Sequence, residues 1–249
     1  MIPLKTTGQI KIMQEGGRRL VWVFAEVLRA IKPGSKLKEL DHLAEELIKK
    51  QGGLPSFKQV PNYHWATCIN INQGVVHGIP GKYQIKKGDL VSLDMGLFYQ
   101  GLHTDMAWTV EVGTQKQKNF LTAGKRALRN AIRAAKAENR VGDISLAIEK
   151  EIKKSGFQPI HDLTGHGVGQ SLHEEPTIPC FLEADITKTP LLSPGMTLAV
   201  EVIYAQGKLD LMISEDGWTV DTADGSLAGL FEYSVAITKK GPLILTRLE

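Results

Sequence analysis

The sequence predicts an α+β domain in which an antiparallel sheet is covered on one face by helices. Amphipathic helical spacing comes first, in residues 7–31 and 35–52, and short strand-like segments follow it. The same order, helices first and strands second, returns in the second half of the chain. Two sequence patterns also recur between the halves at nearly the same spacing, which indicates two similar halves that face each other.

The recurring patterns carry carboxylates at matching positions. Residues 87–94 (KGDLVSLD) resemble residues 194–201 (PGMTLAVE), so that Asp94 aligns with Glu201. The helix ends at 48–52 and 152–156 also match, and Asp105 has a counterpart in Glu232. Chance is the alternative explanation, because glycines and lysine pairs are common. We expect one catalytic domain, residues 1–249, with pseudo-repeats at about 1–113 and 114–249 that each give two acids to a shared centre.

Composition indicates an ordinary soluble globular protein. The 249 residues are 42% hydrophobic and 23% charged, with a formal net charge of +3, which is too small to argue for a nucleic-acid partner. Cys68 and Cys180 fit no disulfide framework and suit a reducing compartment. We see neither a signal peptide nor an apolar run near the ~20 residues that span a bilayer, so we expect a cytoplasmic protein without a membrane partner.

The first half is expected to hold two helices and several short strands. Thr6 or Thr7 caps a helix that stops at residues 32–34 (KPG), and Ser35 opens a second helix that ends at residues 52–53. Strands are expected at 67–71 and 75–79, with a turn at 72–74 between them. Asp94 and Asp105 follow on a hairpin whose polar tip includes Tyr99 and Gln100.

The second half repeats this order. A long helix is expected at about 115–137, and a shorter one from Asp143, a candidate N-cap, to Ser155. Strands are expected around 196–204, 209–213, 218–220, 230–238 and 243–246. The proline-rich stretch 174–195 is interpreted as a surface loop.

Four carboxylates in strand contexts call for positive charge. Asp94 ends an apolar run, and an ionised carboxylate is costly to bury without a cation or a metal. No lysine or arginine lies near any of the four on its own strand, so divalent cations are expected. Four acids and one imidazole can hold two metals, and His166, between Gly165 and Gly167, is the natural imidazole. This oxygen-rich set favours Mn, Fe, Co or Zn in open, hydrolytic coordination.

Two further histidines are placed where chemistry could use them. His77 stands at the end of a short strand, and His173 opens the sequence HEEP. Either could hydrogen-bond a substrate carbonyl or a developing oxyanion, although an ordinary structural histidine is the simpler reading of each. The other four are interpreted as ordinary residues of a helix face (His42), loops (His64 and His161) and a turn (His103).

Taken together, these motifs resemble type I methionine aminopeptidases. The resemblance rests on residues 76–80 (VHGIP), Asp94, Asp105, residues 165–169 (GHGVG), residues 173–176 (HEEP), Glu201 and Glu232, all in family-like order, and it covers essentially the whole chain. It implies the pita-bread fold, which agrees with the two similar halves. It also implies removal of the initiator methionine from nascent chains.

The resemblance further implies a role for each matching residue. Five side chains would bind two divalent metals, with Asp105 and Glu232 bridging, and water activated by the metals would attack the first peptide carbonyl. Glu201 would shuttle the proton, while His77 and His173 would contact substrate and transition state. The five ligands would be Asp94, Asp105, His166, Glu201 and Glu232. Tyr63, Cys68, Leu172 and Trp218 would line the methionine pocket, although Tyr63 and Trp218 could equally be core aromatics.

Five residues depart from the family pattern. Val202 replaces a common proline, Tyr233 a common histidine, and Gly96 and residues 106–107 (MA) replace common hydroxyl residues. These positions are expected to lie beside the ligands, where losses typically cost about 10–100-fold in metal affinity or activity. The departures therefore bear on metal preference and rate.

Two other readings remain open. A related pita-bread enzyme could cleave X-Pro bonds, as aminopeptidase P and prolidase do, although those enzymes usually carry an additional N-terminal domain and this chain is expected to begin at the catalytic helices. A non-catalytic pita-bread module that binds protein or nucleic acid should have lost ligands, whereas all five remain. The expected partners are nascent N-termini, with the ribosome nearby only through the substrate. A monomer without a specific nucleic-acid partner is expected.

Overall fold

Residues 2–248 are described by a computed structural model, and they form an α+β structure. The helices are α1 (Thr7–Ala30), α2 (Leu37–Lys50), α3 (Lys118–Ala134) and α4 (Val141–Lys154). The strands are β1 (Leu54–Pro55), β2 (Cys68–Ile71), β3 (Gly74–Val76), β4 (Leu90–Tyr99), β5 (Leu102–Glu111), β6 (Gln158–Pro159), β7 (Thr164–Gly167), β8 (Glu174–Pro179), β9 (Thr197–Ala205), β10 (Leu211–Ile213), β11 (Val220–Thr222), β12 (Ala228–Thr238) and β13 (Gly241–Ile244).

The large sheet is antiparallel, as predicted, and its centre mixes strands from both halves of the chain. Its order is β1-β4-β5-β12-β9-β7-β8, with β2 paired to β4, β6 to β9 and β13 to β12. The hairpin β4–β5 from the first half lies beside β12 and β9 from the second half. A small sheet, β10-β11-β3, lies apart from the large one.

One face of this sheet is covered by helices from both halves. α1 packs on β4 and β5, and α3 packs on β9 and β12. α3 approaches so closely that a Cβ on Gly124 would lie 2.4 Å from the ring of Phe231. The hydroxyl of buried Tyr204 donates a 2.7 Å hydrogen bond to the carbonyl of Phe120 on the same helix. The other face of the central strands is therefore available for a site.

The first helix begins as the sequence predicts, but the second does not. Thr6 caps α1 in a capping box with Gln9. α2 starts at Leu37 rather than at Ser35, because the Ser35 hydroxyl donates a 2.7 Å hydrogen bond back to the Ala30 carbonyl at the end of α1. Ser35 therefore completes the first helix instead of opening the second.

Both helices of the second half differ from prediction, because α3 is shorter than expected and α4 begins two residues earlier. α3 starts at Lys118, because the Glu111 carboxylate accepts hydrogen bonds of 2.8 Å from the backbone amides of Lys116 and Gln117 and holds them in a turn. Asp143 is not the N-cap of α4. It occupies the third helical position and accepts a 2.7 Å hydrogen bond from the backbone amide of Arg140, the N-cap residue.

Several strand boundaries also differ from prediction. β3 ends at Val76, because His77 adopts a left-handed backbone with φ of 58°. β11 starts at Val220, because the Asp216 carboxylate accepts the amides of Trp218 and Thr219 at 2.8 Å each and folds them into a turn. β10 starts at Leu211 and β13 spans Gly241–Ile244, while β9 and β12 are shifted from prediction by no more than two residues at either end.

The interpretation of residues 174–195 as a loop is wrong at its start. Glu174–Pro179 forms β8, the strand at the end of the large sheet beside β7. An edge strand tolerates proline, because one row of its amides needs no partner in the ladder.

Between residues 2 and 248, no helix has both the length and the apolar character needed to cross a membrane.

Candidate metal centre

Three of the predicted ligands lie close together because of the strand register. Asp94 on β4 and Glu232 on β12 both lie opposite Ala107 of β5, which is two residues from Asp105. Side chains two residues apart share one face of a strand. Asp94, Asp105 and Glu232 therefore project from the same face of three adjacent strands.

The remaining two ligands extend this row across the sheet. Glu232 lies opposite Glu201 of β9, and His166 of β7 lies opposite Ala199, two residues before Glu201. The five side chains thus come from five neighbouring strands and from both halves of the chain. One oxygen or nitrogen each from Asp105, His166 and Glu232 already lie within 4.8 Å of one another.

These carboxylates are withdrawn from water without full hydrogen bonding. Asp105, Glu201 and Glu232 are buried, with exposed fractions of 3%, 9% and 2%. Oδ1 of Asp94 and Oε1 of Glu232 are buried and have no hydrogen-bond partner. Buried polar atoms are almost always satisfied in folded proteins, so two orphaned carboxylate oxygens in one cluster indicate a missing partner.

Burial and mutual repulsion disfavour the ionised forms in the protein without metal. Burial raises the pKa of Asp105 to about 7. Burial followed by repulsion from Asp105 raises the pKa values of Asp94, Glu201 and Glu232 well above their ordinary range. A bound cation reverses this balance, because opposite charge favours the carboxylate form.

His166 is held in the form that a metal requires. Its Nδ1 lies 2.8 Å from the carbonyl of Gly167, so Nδ1 carries the hydrogen and donates it, and Nε2 keeps its lone pair. Nε2 lies 3.4 Å from Oε1 of Glu201. Burial lowers the pKa of His166 to about 3, so the ring is neutral at physiological pH. Neutral imidazole next to carboxylates is a donor set that fits a divalent transition metal.

The glycines beside His166 let β7 pack closely between its two neighbouring strands. A Cβ on Gly165 would lie 2.5 Å from the carbonyl oxygen of Ala199 on β9. A Cβ on Gly167 would lie 2.3 Å from the carbonyl oxygen of Glu175 on β8. Only glycine lets β7 fit between these two strands, and this packing fixes the backbone of His166.

A cavity of about 250 Å³ adjoins the ligand cluster. It brings together all eleven residues predicted for the site. In addition to the five ligand residues it is lined by His77, His173, Tyr63, Cys68, Leu172 and Trp218, and by Phe57, Val60 and Val76. The sequence patterns did not indicate the last three. An apolar residue outside the predicted helices and strands, such as Phe57, is a weak indication of a binding site. Only the fold shows which residues surround it.

The end of the cavity away from the carboxylates is apolar and aromatic. Tyr63 packs edge-on against Trp218, with ring centroids 5.1 Å apart, and against Phe57 at 6.5 Å. The Tyr63 hydroxyl donates to the carbonyl of Thr67 at 2.9 Å and lies 3.2 Å from Sγ of Cys68. Cys68 lies opposite Asp94 in the β2–β4 pair. It therefore lies where the apolar end of the cavity meets the carboxylates.

His77 and His173 stand between this cavity and a second one of about 550 Å³ that shares both of them. The rings of His173 and His166 meet edge-on with centroids 4.4 Å apart. Burial lowers the pKa values of His77 and His173, so both are neutral at pH 7.

His103 is not in a turn but buried on β5, where its Nδ1 lies 2.9 Å from the Ser56 hydroxyl.

The departures noted in the sequence fall on two faces of the sheet. Gly96 and Ala107 lie on the ligand face, opposite Asp105 and Asp94. Val202 and Tyr233 alternate with the ligand residues and point to the helix face, where Tyr233 stacks on Trp108 with centroids 5.6 Å apart. The expectation that all of them lie beside the ligands is therefore wrong for Val202 and Tyr233.

Comparison with known proteins finds one peptidase family and relatives that match along nearly the whole chain. The chain matches metallopeptidase family M24 over residues 11–239. Methionine aminopeptidase 1 of Bacillus subtilis is 40% identical over 100% of both chains. The methionine aminopeptidase of Aquifex aeolicus is also 40% identical, over 99% of each chain.

Solved structures agree with these relatives. The methionine aminopeptidase of Thermotoga maritima has a TM-score of 0.95 and 38% identity, covering 99% of this chain and 100% of that one. The prolidase of Pyrococcus furiosus has a TM-score of 0.80 and 24% identity, covering 99% and 66%, a likeness that concerns the fold alone. The pita-bread fold is thereby confirmed.

The clustered carboxylates predict an unusual pH dependence of stability in EDTA. The folded pKa of Asp105, about 7, exceeds its ordinary value of 3.8, so the folded state binds the extra proton between these values. The free energy of unfolding should therefore fall as pH rises, by about 3 kcal/mol between roughly pH 5 and pH 8 for this group. Urea unfolding at several pH values measures it.

Asp105→Asn should flatten this dependence, because it removes both the titrating group and its repulsion of the other three acids. The exposed Asp210→Asn is the matched control and should keep the wild-type slope. Equal slopes in wild type and Asp105→Asn would contradict the electrostatic description of the cluster.

Proposed function

The chain belongs to metallopeptidase family M24, and we propose that it is a methionine aminopeptidase, a metal-dependent hydrolase that removes the initiator methionine from nascent proteins. One observation carries the proposal beyond family membership. A neutral imidazole and four carboxylates, three of them buried and Asp94 half-buried, form one wall of a cavity whose opposite end is aromatic and apolar. The reacting centre and a pocket for one apolar side chain are thus next to each other.

The donor set fits two divalent cations better than one. The five side chains Asp94, Asp105, His166, Glu201 and Glu232 would hold them, with Asp105 and Glu232 at the middle of the row and suited to bridging. Oxygen-rich coordination with one imidazole favours Mn, Fe, Co or Zn. When bound, the cations supply activation of water for nucleophilic attack and polarisation of the peptide carbonyl.

Glu201 is positioned to move the proton. The carboxyl lies at the edge of the cavity beside His166, with its Oε1 3.4 Å from Nε2 of that residue. It would take a proton from the attacking water and deliver it to the leaving amine.

His77 and His173 would hold the peptide carbonyl. Both rings are neutral and face the cavity next to the ligands, so each can donate one N–H to a developing oxyanion. The left-handed backbone of His77 is locked by the amide of Gly78, which donates a 2.8 Å hydrogen bond to the Asn70 side chain. A preorganised donor loses no free energy to reorganisation during the reaction.

The aromatic end of the cavity would receive the methionine side chain. Tyr63, Cys68, Leu172 and Trp218 surround a space that is mainly apolar, which suits an unbranched thioether. Met sulfur also interacts favourably with ring edges, and Tyr63 and Trp218 present their rings at 76° to each other. Such a pocket discriminates mainly by size.

The rest of the substrate would leave through the second cavity, which shares His77, His166, His173 and Glu201 with the first. An open exit of this kind suits the extended N-terminus of a nascent chain.

We further propose that the enzyme acts as a cytoplasmic monomer and meets the ribosome only through its substrate.

The peptide Met-Ala-Ser tests the assignment. The enzyme stripped with EDTA should release no methionine, and Mn, Fe, Co or Zn should restore release. Asp105→Ala should lower kcat at least about 1,000-fold, because it removes a ligand at the centre of the row. Cleavage of an X-Pro peptide in preference to Met-Ala-Ser would contradict the substrate assignment, whereas metal binding without cleavage of either peptide would contradict the enzymatic one.

The pocket can be tested separately with Leu172→Ala. Leu172 is 7% exposed and lies in the aromatic cluster, so truncation enlarges the pocket by several methylenes. We expect kcat/KM for Met-Ala-Ser to fall about 10–100-fold, mainly through KM, with metal affinity unchanged. Leu191→Ala, an exposed leucine, is the control. An unchanged KM in Leu172→Ala would remove Leu172 from the pocket.

A further inference from the structure

Lys5, in the segment before α1, has its charged end buried. The residue is 7% exposed, and its Nζ forms an ion pair with Oε2 of Glu174, whose side chain is 7% exposed. Lysine is almost never buried unless it is paired. The backbone of Lys5 is fixed as well, because its amide donates a 2.7 Å hydrogen bond to the carbonyl of Gly195.

The ion pair lies directly behind residues 168–173, the connection between β7 and β8 that carries His173. The second oxygen of Glu174 accepts a 3.1 Å hydrogen bond from the amide of Ser171 within this connection. The Lys5 side chain crosses Gly169 so closely that a Cβ there would lie 2.1 Å from Cε of Lys5. Lysine, glutamate and the connection therefore form one packed unit.

This unit is continuous with the metal centre on both sides. Glu174 pairs with Gly167, the neighbour of His166, in the β7–β8 ladder. The carbonyl of Gly169 accepts a 2.7 Å hydrogen bond from the amide of His103, two residues before Asp105. A shift of the connection would move His173 relative to the ligands, to which it is joined by its ring contact with His166.

We propose that Lys5 is a positioning residue for His173 and acts through Glu174. This inference rests on the proposed function, in which His173 contacts the reacting carbonyl. A buried ion pair is weak evidence for stability, because apolar residues of similar volume often replace such a pair without loss. Its directional bonds fix the orientation of Glu174, and therefore of the adjoining His173. A misplacement of about 1 Å can cost roughly 100-fold in rate.

Lys5→Met tests the proposal, since methionine keeps the volume and removes the charge. We expect kcat for Met-Ala-Ser to fall about 10–100-fold, with KM and metal affinity within about threefold of wild type. Lys153→Met, which breaks the exposed Lys153–Glu149 pair on α4, is the matched control and should leave kcat unchanged.

A double-mutant cycle identifies the residue through which Lys5 acts. In a His173→Ala background, Lys5→Met should lower kcat by less than about twofold further, because the group that it positions is gone. An undiminished loss in that background, or a single Lys5→Met variant that is folded and has wild-type kcat, would overturn the proposal.

Two further measurements keep the test decisive. If the unpaired Glu174 prevents Lys5→Met from folding, Lys5→Met/Glu174→Gln leaves no buried charge and should fold with kcat still lowered at least about fivefold; wild-type kcat in this variant would overturn the proposal. Hydrogen exchange is independent of activity. The amides of Ser171 and His103 should exchange at least about tenfold faster in the variant, while those of α4 do not change. Unchanged exchange rejects the positioning role, whereas absent methionine release by the wild type rejects the proposed function instead.

Discussion

Four carboxyl groups lie side by side on one face of the sheet, three of them buried and Asp94 half-buried, and their mutual repulsion is the constraint on which the rest of the structure depends. Two of their oxygens have no hydrogen-bond partner. Burial raises the pKa values of all four, and repulsion from Asp105 adds to the rise for Asp94, Glu201 and Glu232. A protein that keeps this cluster must hold the carboxyl groups rigidly and must bind positive charge that the chain itself does not provide. The need for rigidity explains why the acids lie on separate long strands and why β7 packs closely beside β9.

Rigidity comes from placing each acid on a different long strand. β4 and β5 from the first half and β9 and β12 from the second present their acids at directly opposed or diagonal positions, and helices from both halves cover the reverse face. The backbone of Asp105 is held from β12, because the Ser234 hydroxyl accepts a 2.8 Å hydrogen bond from its amide and donates one of 2.9 Å to its carbonyl. Glycines beside His166 let β7 pack tightly enough to complete the row.

Sequence patterns predicted the α+β class, the hairpin of Asp94 and Asp105 and the four acids that meet at the cavity, because carboxylates inside apolar strands are rare and informative. The resemblance to a known family, and not a local pattern, indicated Tyr63, Cys68, Leu172 and Trp218. Boundaries were harder to predict. Ser35, Glu111 and Asp216 each bond backbone groups outside the expected element, and His77 takes a left-handed conformation that no local pattern indicates. The cavity residues Phe57, Val60 and Val76, and the Lys5–Glu174 pair across the chain, depend on tertiary packing and have no local signature.

The carboxylate row is proposed to bind two cations. Crystals grown with excess Mn²⁺ and measured near the manganese absorption edge would test it most directly. We predict two anomalous peaks per chain, about 3.5–4 Å apart, between Asp94, Asp105, His166, Glu201 and Glu232. A single peak at full occupancy would reduce the site to one metal, and no peak among these residues would contradict the account.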